Sequence, residues 1–480
     1  MPGGDDDLFF STIGELNSRL HKREISAKEL AQLFGQRLER LGPKYNALAL
    51  PLTRRALQRA KDVDGDIRRE RFRGPVQGIP FGAKDLLSLK GFPTTWGAKP
   101  YQYQTFPETA TVLRKLEGSG ALLIGKLAMV ELAGGPSYRF ASASLHGPGL
   151  NPWDTTRWSG GSSSGSATAV AAGLTVFALG SETSGSILTP SAFCGITGLR
   201  PTYGLVSRHG AMALSWTLDK IGPLARSAED CGFILDAIAG GDLDDPGSSG
   251  HRFYYDSNYD HPLNTIRIGY APDDFDVHPE PGARPAFAAA LQTLQNLGFP
   301  FVETKLPDFP YGPMLGTILG AEAASIFEPL IRSGGVDQLA DAHQIAGLKA
   351  ALDIKSIDYL KAMRIRRLFQ DAMRNVFSNC DILLAPTRLG VAPPVNQPLD
   401  RPPAGAHPSH PSSAPSGLGA LIPASNLAGL PALSLPCGFD NGLPLAIQLV
   451  GQPYSENLLI HAGKAFQKAT DWHRRRPPSL

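Results

Sequence analysis

This chain has too few cysteines for a disulfide framework and too little charge of either sign for an electrostatic partner. Its four cysteines, Cys194, Cys231, Cys380 and Cys437, are scattered through 480 residues. None stands in the CxxC or CxH spacing of a zinc site, so a reducing compartment is the natural home. The 46 Lys and Arg against 44 Asp and Glu leave a net charge of only +2, which gives no field to hold nucleic acid. The short basic clusters at 68–73 and 474–476 read as solvated faces or termini. No apolar run approaches the span of a bilayer, and the opening Met-Pro-Gly-Gly-Asp-Asp-Asp is the reverse of a basic signal peptide. The expectation is a soluble, cytoplasmic protein with no membrane and no nucleic acid among its partners.

Glycine and proline are abundant, 52 and 41 residues, in a chain that is 42% hydrophobic; this is globular composition with many turns. The length corresponds to about three average domains, although large α/β enzymes often keep such a chain in one unit. Ser26-Ala27-Lys28-Glu29 fits a capping box, and Leu30, Leu33, Leu38 and Leu41 continue it as an amphipathic helix. A second helix is expected from about Arg54 to Val63. From Gly78 onward, short apolar runs such as 121–124 and 174–179 alternate with Gly- and Ser-rich turns and helical stretches, the pattern of a sheet wrapped by helices. Helical periodicity dominates from about 240 to 385, notably at 284–297 and 357–377. The segment 391–417 carries eight prolines and reads as an irregular loop, of the kind that often serves as a lid or binding loop. Two strands, 431–439 and 443–450, are expected around the turn Asp440-Asn441-Gly442, then a last helix from about Glu456 to Thr470. There is no internal repeat.

Two serine-rich loops are the most unusual feature: Gly160-Gly161-Ser162-Ser163-Ser164-Gly165-Ser166 and Gly180-Ser181-Glu182-Thr183-Ser184-Gly185-Ser186. Between them lies the apolar run 167–179, which must be buried and so fixes both loops against a core, unlike a flexible linker. They read either as backbone-donor loops or as structural turns. Gly161-x-Ser163-x-Gly165 has the spacing of a nucleophile elbow, but the preceding 151–154 reads as a turn rather than the required strand. The Gly and Lys spacing at 120–126 imitates a phosphate loop, yet its interior is a strand and Leu127 replaces the needed Ser or Thr. Lys84 follows small and apolar residues in Gly78-Ile79-Pro80-Phe81-Gly82-Ala83-Lys84. It either points outward at a loop end or is buried, and desolvation would then favour a neutral amine able to act as a base.

Taken together these segments resemble the amidase signature family. The resemblance is carried by Gly78-Ile79-Pro80 with Lys84-Asp85, Asn151-Pro152-Trp153, Gly160-Gly161-Ser162-Ser163, Gly180-Ser181 with Gly185-Ser186-Ile187, and Cys194-Gly195 with Gly198-Leu199-Arg200-Pro201. Further landmarks are Asp219-Lys220-Ile221-Gly222-Pro223, Ala385-Pro386-Thr387, Asn426 to Pro431 and Trp472-His473-Arg474, so essentially the whole chain is covered. The resemblance implies an α/β fold, a large twisted mixed β-sheet wrapped by α-helices. Within one domain over 1–480 it implies an N-terminal helical segment (1–75), a catalytic core (76–235), a helical cover (240–390), the Pro-rich loop (391–417) and a return to the core (418–480).

The same resemblance implies Ser186 as nucleophile, Ser162 as a relay that in the family follows a cis peptide bond, and Lys84 as base. The N–H groups of Thr183, Ser184, Gly185 and Ser186 would form an oxyanion hole, with Ser163 and Gly161 in support and no metal or organic cofactor. The family usually has Gly where this chain has Ser164 and Ser184, Asp at Glu182, and Arg at Leu188. The missing charge at 188 points to a neutral or aryl amide; esters and carbamates (urethanes) present a similar carbonyl. The expected partner is therefore a small-molecule amide, ester or carbamate, bound by a monomer or homodimer. Two other readings stay open, the glutaminase A subunit of a tRNA-dependent amidotransferase and a non-catalytic binding protein on the same fold.

Overall fold

A computed structural model describes residues 5–399 and 417–478. Its centre is an 11-stranded mixed sheet. From one edge the strands are Leu48–Pro51, Leu122–Leu127, Pro80–Lys84, Phe177–Glu182, Lys220–Ala225, Thr197–Arg200, Ala432–Asp440, Leu443–Gly451, Ile382–Pro386, Ile268–Tyr270 and Phe301–Glu303. Pro80–Lys84 runs parallel to both of its neighbours, while Phe177–Glu182 meets Lys220–Ala225 antiparallel. Every residue of Pro80–Lys84, Leu122–Leu127, Phe177–Glu182 and Lys220–Ala225 is buried. Helices therefore cover both faces, which explains why these strands read as continuous apolar runs rather than alternating ones.

Local signals account for several elements. Ser26 Oγ accepts from the Glu29 N–H while Glu29 accepts from the Ser26 N–H, closing the capping box on the helix Ala27–Leu41. The hairpin Ala432–Asp440/Leu443–Gly451 turns through Asn441 and Gly442, both at positive φ, as a two-residue hairpin loop requires. The helices Arg284–Asn296, Ser356–Val376 and Glu456–Ala469 lie where the periodicity predicts them.

Other expectations need correction. The helix expected to end near Val63 runs from Thr53 to Arg68. The stretch 240–390 is not helical cover alone: Ile268–Tyr270, Phe301–Glu303 and Ile382–Pro386 extend the sheet. Two of these are only three residues long, too short to display a period. The apolar run 174–179 enters the sheet only at Phe177, and its strand continues through polar Ser181 and Glu182. The helix Tyr311–Arg332 is long and apolar enough to cross a membrane, although 56% of its apolar window is buried inside the protein. Glu322 in its middle accepts from Ser215, Thr217 and Tyr359, as in a core helix. Of the Pro-rich loop, residues 400–416 lie outside the described residues.

Three neighbouring parallel strands end together at Lys84, Leu127 and Glu182, and the antiparallel strand beginning at Lys220 starts at that same edge, opposite Glu182. The carboxyl ends of adjacent parallel strands form the customary ligand edge of such a sheet. The serine-rich loops open there.

Candidate active site

Lys84 closes its strand with a wholly buried side chain. Its Nζ lies 2.7 Å from Ser162 Oγ, 2.9 Å from Ser181 Oγ and 3.1 Å from Ser163 Oγ. Among the described residues no carboxylate touches it. Burial lowers its pKa from the usual lysine value to about 7, against the opposing pull of Asp219 and Glu182. The outward-pointing alternative for Lys84 is thereby excluded.

The first serine loop passes from the strand Asp154–Trp158 into the helix Ser164–Ala171, all of whose residues are buried. The Gly161–Ser162 peptide is cis. A Cβ on Gly160 would stand 2.5 Å from Pro190 Cα, so a side chain there would collide with backbone. The stretch 151–154 is a turn, as its residues suggest, joining Leu150–Asn151 to Asp154–Trp158 in a hairpin whose second strand leads toward Ser163. Ser163 is nevertheless no exposed elbow nucleophile, because it is fully buried and donates to the Ser181 carbonyl oxygen at 3.2 Å.

Ser186 stands half-buried on the turn between the strand Phe177–Glu182 and the helix Leu188–Cys194. Its carbonyl accepts from the Ser163 N–H at 3.3 Å, which joins the two loops. Gly185 has φ +91°, a conformation that favours glycine. The N–H groups of Ser184, Gly185 and Ser186 have no acceptor among the described residues.

Glu182 braces this turn. Its Oε2 accepts from the N–H groups of Ile187 and Leu188 at 2.8 and 3.0 Å, while Oε1 accepts from Arg200 at 2.7 Å and Asn426 at 2.9 Å. Burial pushes its pKa upward, but Arg200, Asn426 and the Leu188 N–H outweigh that and hold it at about 2. Asp219 holds the other side of the turn, accepting from Thr183 Oγ1 at 2.6 Å and from the N–H groups of Leu214 and Ser215.

The two flanks of these residues differ. A cavity of about 460 Å³ reaches Ser181 and Thr183, with Leu86, Met212 and Ile221 on its walls and Tyr203 and Trp216 farther along. Ser162 and Ser186 are absent from its lining, so it adjoins the serines without containing them. Lys220 also borders it, with an Nζ that has no hydrogen-bond partner among the described residues and a pKa pushed well below the lysine value by burial. The other flank is aromatic. Trp158 contacts Tyr138 and Phe193 edge-on or tilted, at ring separations of 6.1 and 6.2 Å. A Cβ on Gly161 would lie 2.8 Å from Trp158 and 3.0 Å from the Tyr138 hydroxyl. Arg388 sits at the margin of this cluster, 6.0 Å from the Phe193 ring. The described start of the Pro-rich loop packs here through Ala392, Val395 and Leu399.

Lys84, Ser162 and Ser163 thus converge, and the second loop delivers Ser186 beside them. Sequence reasoning assigned no role to Ser181, Glu182, Arg200 or Asp219. Ser181 had a usable signal in its place at a strand end; the others become visible only when distant segments meet. Among the described residues no group of three or more His, Cys, Asp or Glu could hold a metal.

The Amidase family profile matches residues 29–460. The Glutamyl-tRNA(Gln) amidotransferase A subunit of Dechloromonas aromatica is 36% identical over 98% of this chain and 99% of its own. Among solved structures, native peptide amidase from Stenotrophomonas maltophilia superposes with a TM-score of 0.82 at 29% identity, covering 98% of each chain. The Glutamyl-tRNA(Gln) amidotransferase A subunit of Thermotoga maritima does so with a TM-score of 0.78 at 28% identity, covering 97% of this chain and 96% of its own.

Proposed function

This chain belongs to the amidase signature family of amide-cleaving enzymes, and we propose that it works through an acyl-enzyme formed on Ser186. The observation that carries this reading is the shell of Lys84, a buried amine surrounded by three hydroxyls and no carboxylate. An uncharged amine has two N–H bonds and one lone pair, three directions for three partners. Ser163 gives its own proton to the Ser181 carbonyl oxygen, so toward Lys84 it accepts. Ser181 Oγ takes the second N–H, and Ser162 is left to donate to the lone pair.

The chemistry follows from that arrangement. As Ser186 Oγ attacks the carbonyl carbon, its proton passes to Ser162 Oγ while the Ser162 proton passes to Lys84. The carbonyl oxygen gathers charge against the N–H groups of residues 183–186, a donor set of which each member typically contributes about 10² to 10³ in rate. The reverse relay protonates the departing nitrogen, and water then releases the acid. Ser186→Ala should lower kcat/KM roughly 10⁴-fold or more with little change in Tm; retained turnover would move the nucleophile elsewhere.

Two substrate readings follow. Kinship supports glutamine, since relatives named as the A subunit of Glutamyl-tRNA(Gln) amidotransferase match nearly the full length; the product would then be ammonia for a partner protein. The apolar Leu188 beside the nucleophile supports instead a neutral or aryl amide, with esters and carbamates as extensions. Kinship makes the glutaminase reading the better supported of the two. Rates on glutamine, an anilide, a nitrophenyl ester and an aryl carbamate, measured with and without co-purifying protein, separate them.

A further inference from the structure

The cavity beside the serines suits an apolar guest. Its lining includes Ser181, whose hydroxyl is 2.9 Å from Lys84 Nζ, and Thr183, which opens the turn carrying the proposed oxyanion donors and Ser186. Leu86, Met212, Leu214 and Ile221 wall it. The charged groups along it are already committed. Asp245 holds Arg208 through hydrogen bonds of 2.8 and 3.1 Å, and His209 faces Glu108 at 3.1 Å. Asp219 accepts from Thr183, Leu214 and Ser215, while Lys220 Nζ is sealed within protein. A guest therefore meets hydrocarbon and, among the described residues, no accessible unpaired cation. An apolar cavity of about 150 Å³ already holds benzene, so the roughly 460 Å³ here admits a fused or substituted aromatic group.

The rim presents an aromatic side chain on a fixed backbone. Trp216 lines the cavity, is 41% exposed and, among the described residues, packs against no other ring. Its main chain is nevertheless pinned. Arg208 and the Tyr203 hydroxyl both donate to the Trp216 carbonyl, the latter at 2.7 Å, and the N–H groups of Ser215 and Thr217 on either side reach Asp219 and Glu322. An indole left in water on a backbone held this firmly offers a large, rigid contact area at small cost in side-chain entropy.

We propose that this cavity is the subsite for a neutral aromatic group of the substrate, with Trp216 as a specificity residue at its rim, so that the preferred amides carry a fused or substituted aryl group on one side of the scissile bond. An aryl group lodged here leaves its carbonyl at the 183–186 turn, because Thr183 belongs to both. The proposal rests on the acyl-enzyme reading above and deepens its neutral or aryl branch. Glutamine, small and doubly charged, would fill little of the volume and find no free partner for its carboxylate there.

The test compares matched amides differing only in the ring: naphthylpropanamide against propanamide for the acyl side, and N-(naphthylethyl)acetamide against N-ethylacetamide for the amine side. In at least one pair kcat/KM should favour the aryl member about tenfold or more, the effect of burying one aromatic group; the pair that responds shows which half of the amide enters the cavity. Ala213→Phe, which places a ring in the space from its lining, should collapse that ratio toward unity, and Trp216→Ala should lower it about threefold or more. A ratio near unity in both pairs for the parent enzyme, or one unmoved by Ala213→Phe, overturns the proposal. Calorimetry with naphthylbutanone, a ketone that cannot be hydrolysed, separates this from a failure of the acyl-enzyme reading. Ser186→Ala should bind it about tenfold or more tightly than butanone, and Ser186→Ala/Ala213→Phe should bind the two alike. Equal affinities in Ser186→Ala count against the proposal whatever the turnover, whereas tight aryl binding with unimpaired turnover by Ser186→Ala overturns the acyl-enzyme reading alone.

Discussion

Lys84 and Lys126 stand on adjacent parallel strands, displaced by a single position in the pairing, and both side chains are wholly buried. Lys126 has the Asp85 carboxylate at 2.6 Å and the Thr94 hydroxyl at 3.0 Å. Lys84 has hydroxyls only. Burial lowers the pKa of both, but at Lys126 a carboxylate in direct contact opposes it, whereas at Lys84 the opposing carboxylates of Asp219 and Glu182 act from a distance. A buried lysine thus becomes a structural ion or a candidate base according to its first neighbours, not its depth.

Swapping one property at a time breaks this contrast. The largest effect is expected from Lys84→Met, which removes the proposed base. The rate should fall about 10²- to 10⁴-fold while urea unfolding shows stability unchanged or raised, because an unfavourable burial is relieved. Lys126→Met should do the opposite. It leaves Asp85 buried and unpaired, so the unfolding free energy should drop by about 3–5 kcal/mol, and a purely catalytic defect would erase the distinction.

The pH dependence is the next largest effect. The proposed base works without its proton, so kcat/KM should fall roughly tenfold per pH unit below about 7. The same shift acts on stability. Between about pH 7 and the ordinary lysine value the unfolded chain binds a proton that the folded one lacks, so stability rises with pH across that window. Lys84→Met should flatten both slopes; a rate indifferent to acid would leave Lys84 charged and out of the chemistry. Dialysis against EDTA has the smallest expected effect, none on the rate, since no step of the proposed relay needs a metal.

Much of the molecule was legible before its coordinates. The capping box at Ser26, the Asn441-Gly442 hairpin and the long helices declared themselves through local patterns, which survive whatever the rest of the chain does. The two serine loops and Lys84 were legible as a resemblance and, from the residues alone, only as open alternatives. The strands Ile268–Tyr270 and Phe301–Glu303 were not legible, because three residues cannot display a period and only pairing, of the first with Ile382–Pro386 and of the second with the first, makes them strands. Nor was the Glu182–Arg200–Asn426 brace, whose members lie far apart in sequence.

Residue order alone determined which chemical groups were available, since a strand end bearing lysine and two loops rich in serine and glycine are covalent facts. Tertiary structure decided the state of those groups. A lysine next to an aspartate in sequence could have formed a simple ion pair, yet the fold turned Asp85 toward Lys126 and closed three hydroxyls around Lys84. Protonation depends on what replaces water around an amine, and that shell is assembled from strands that meet only in the folded sheet.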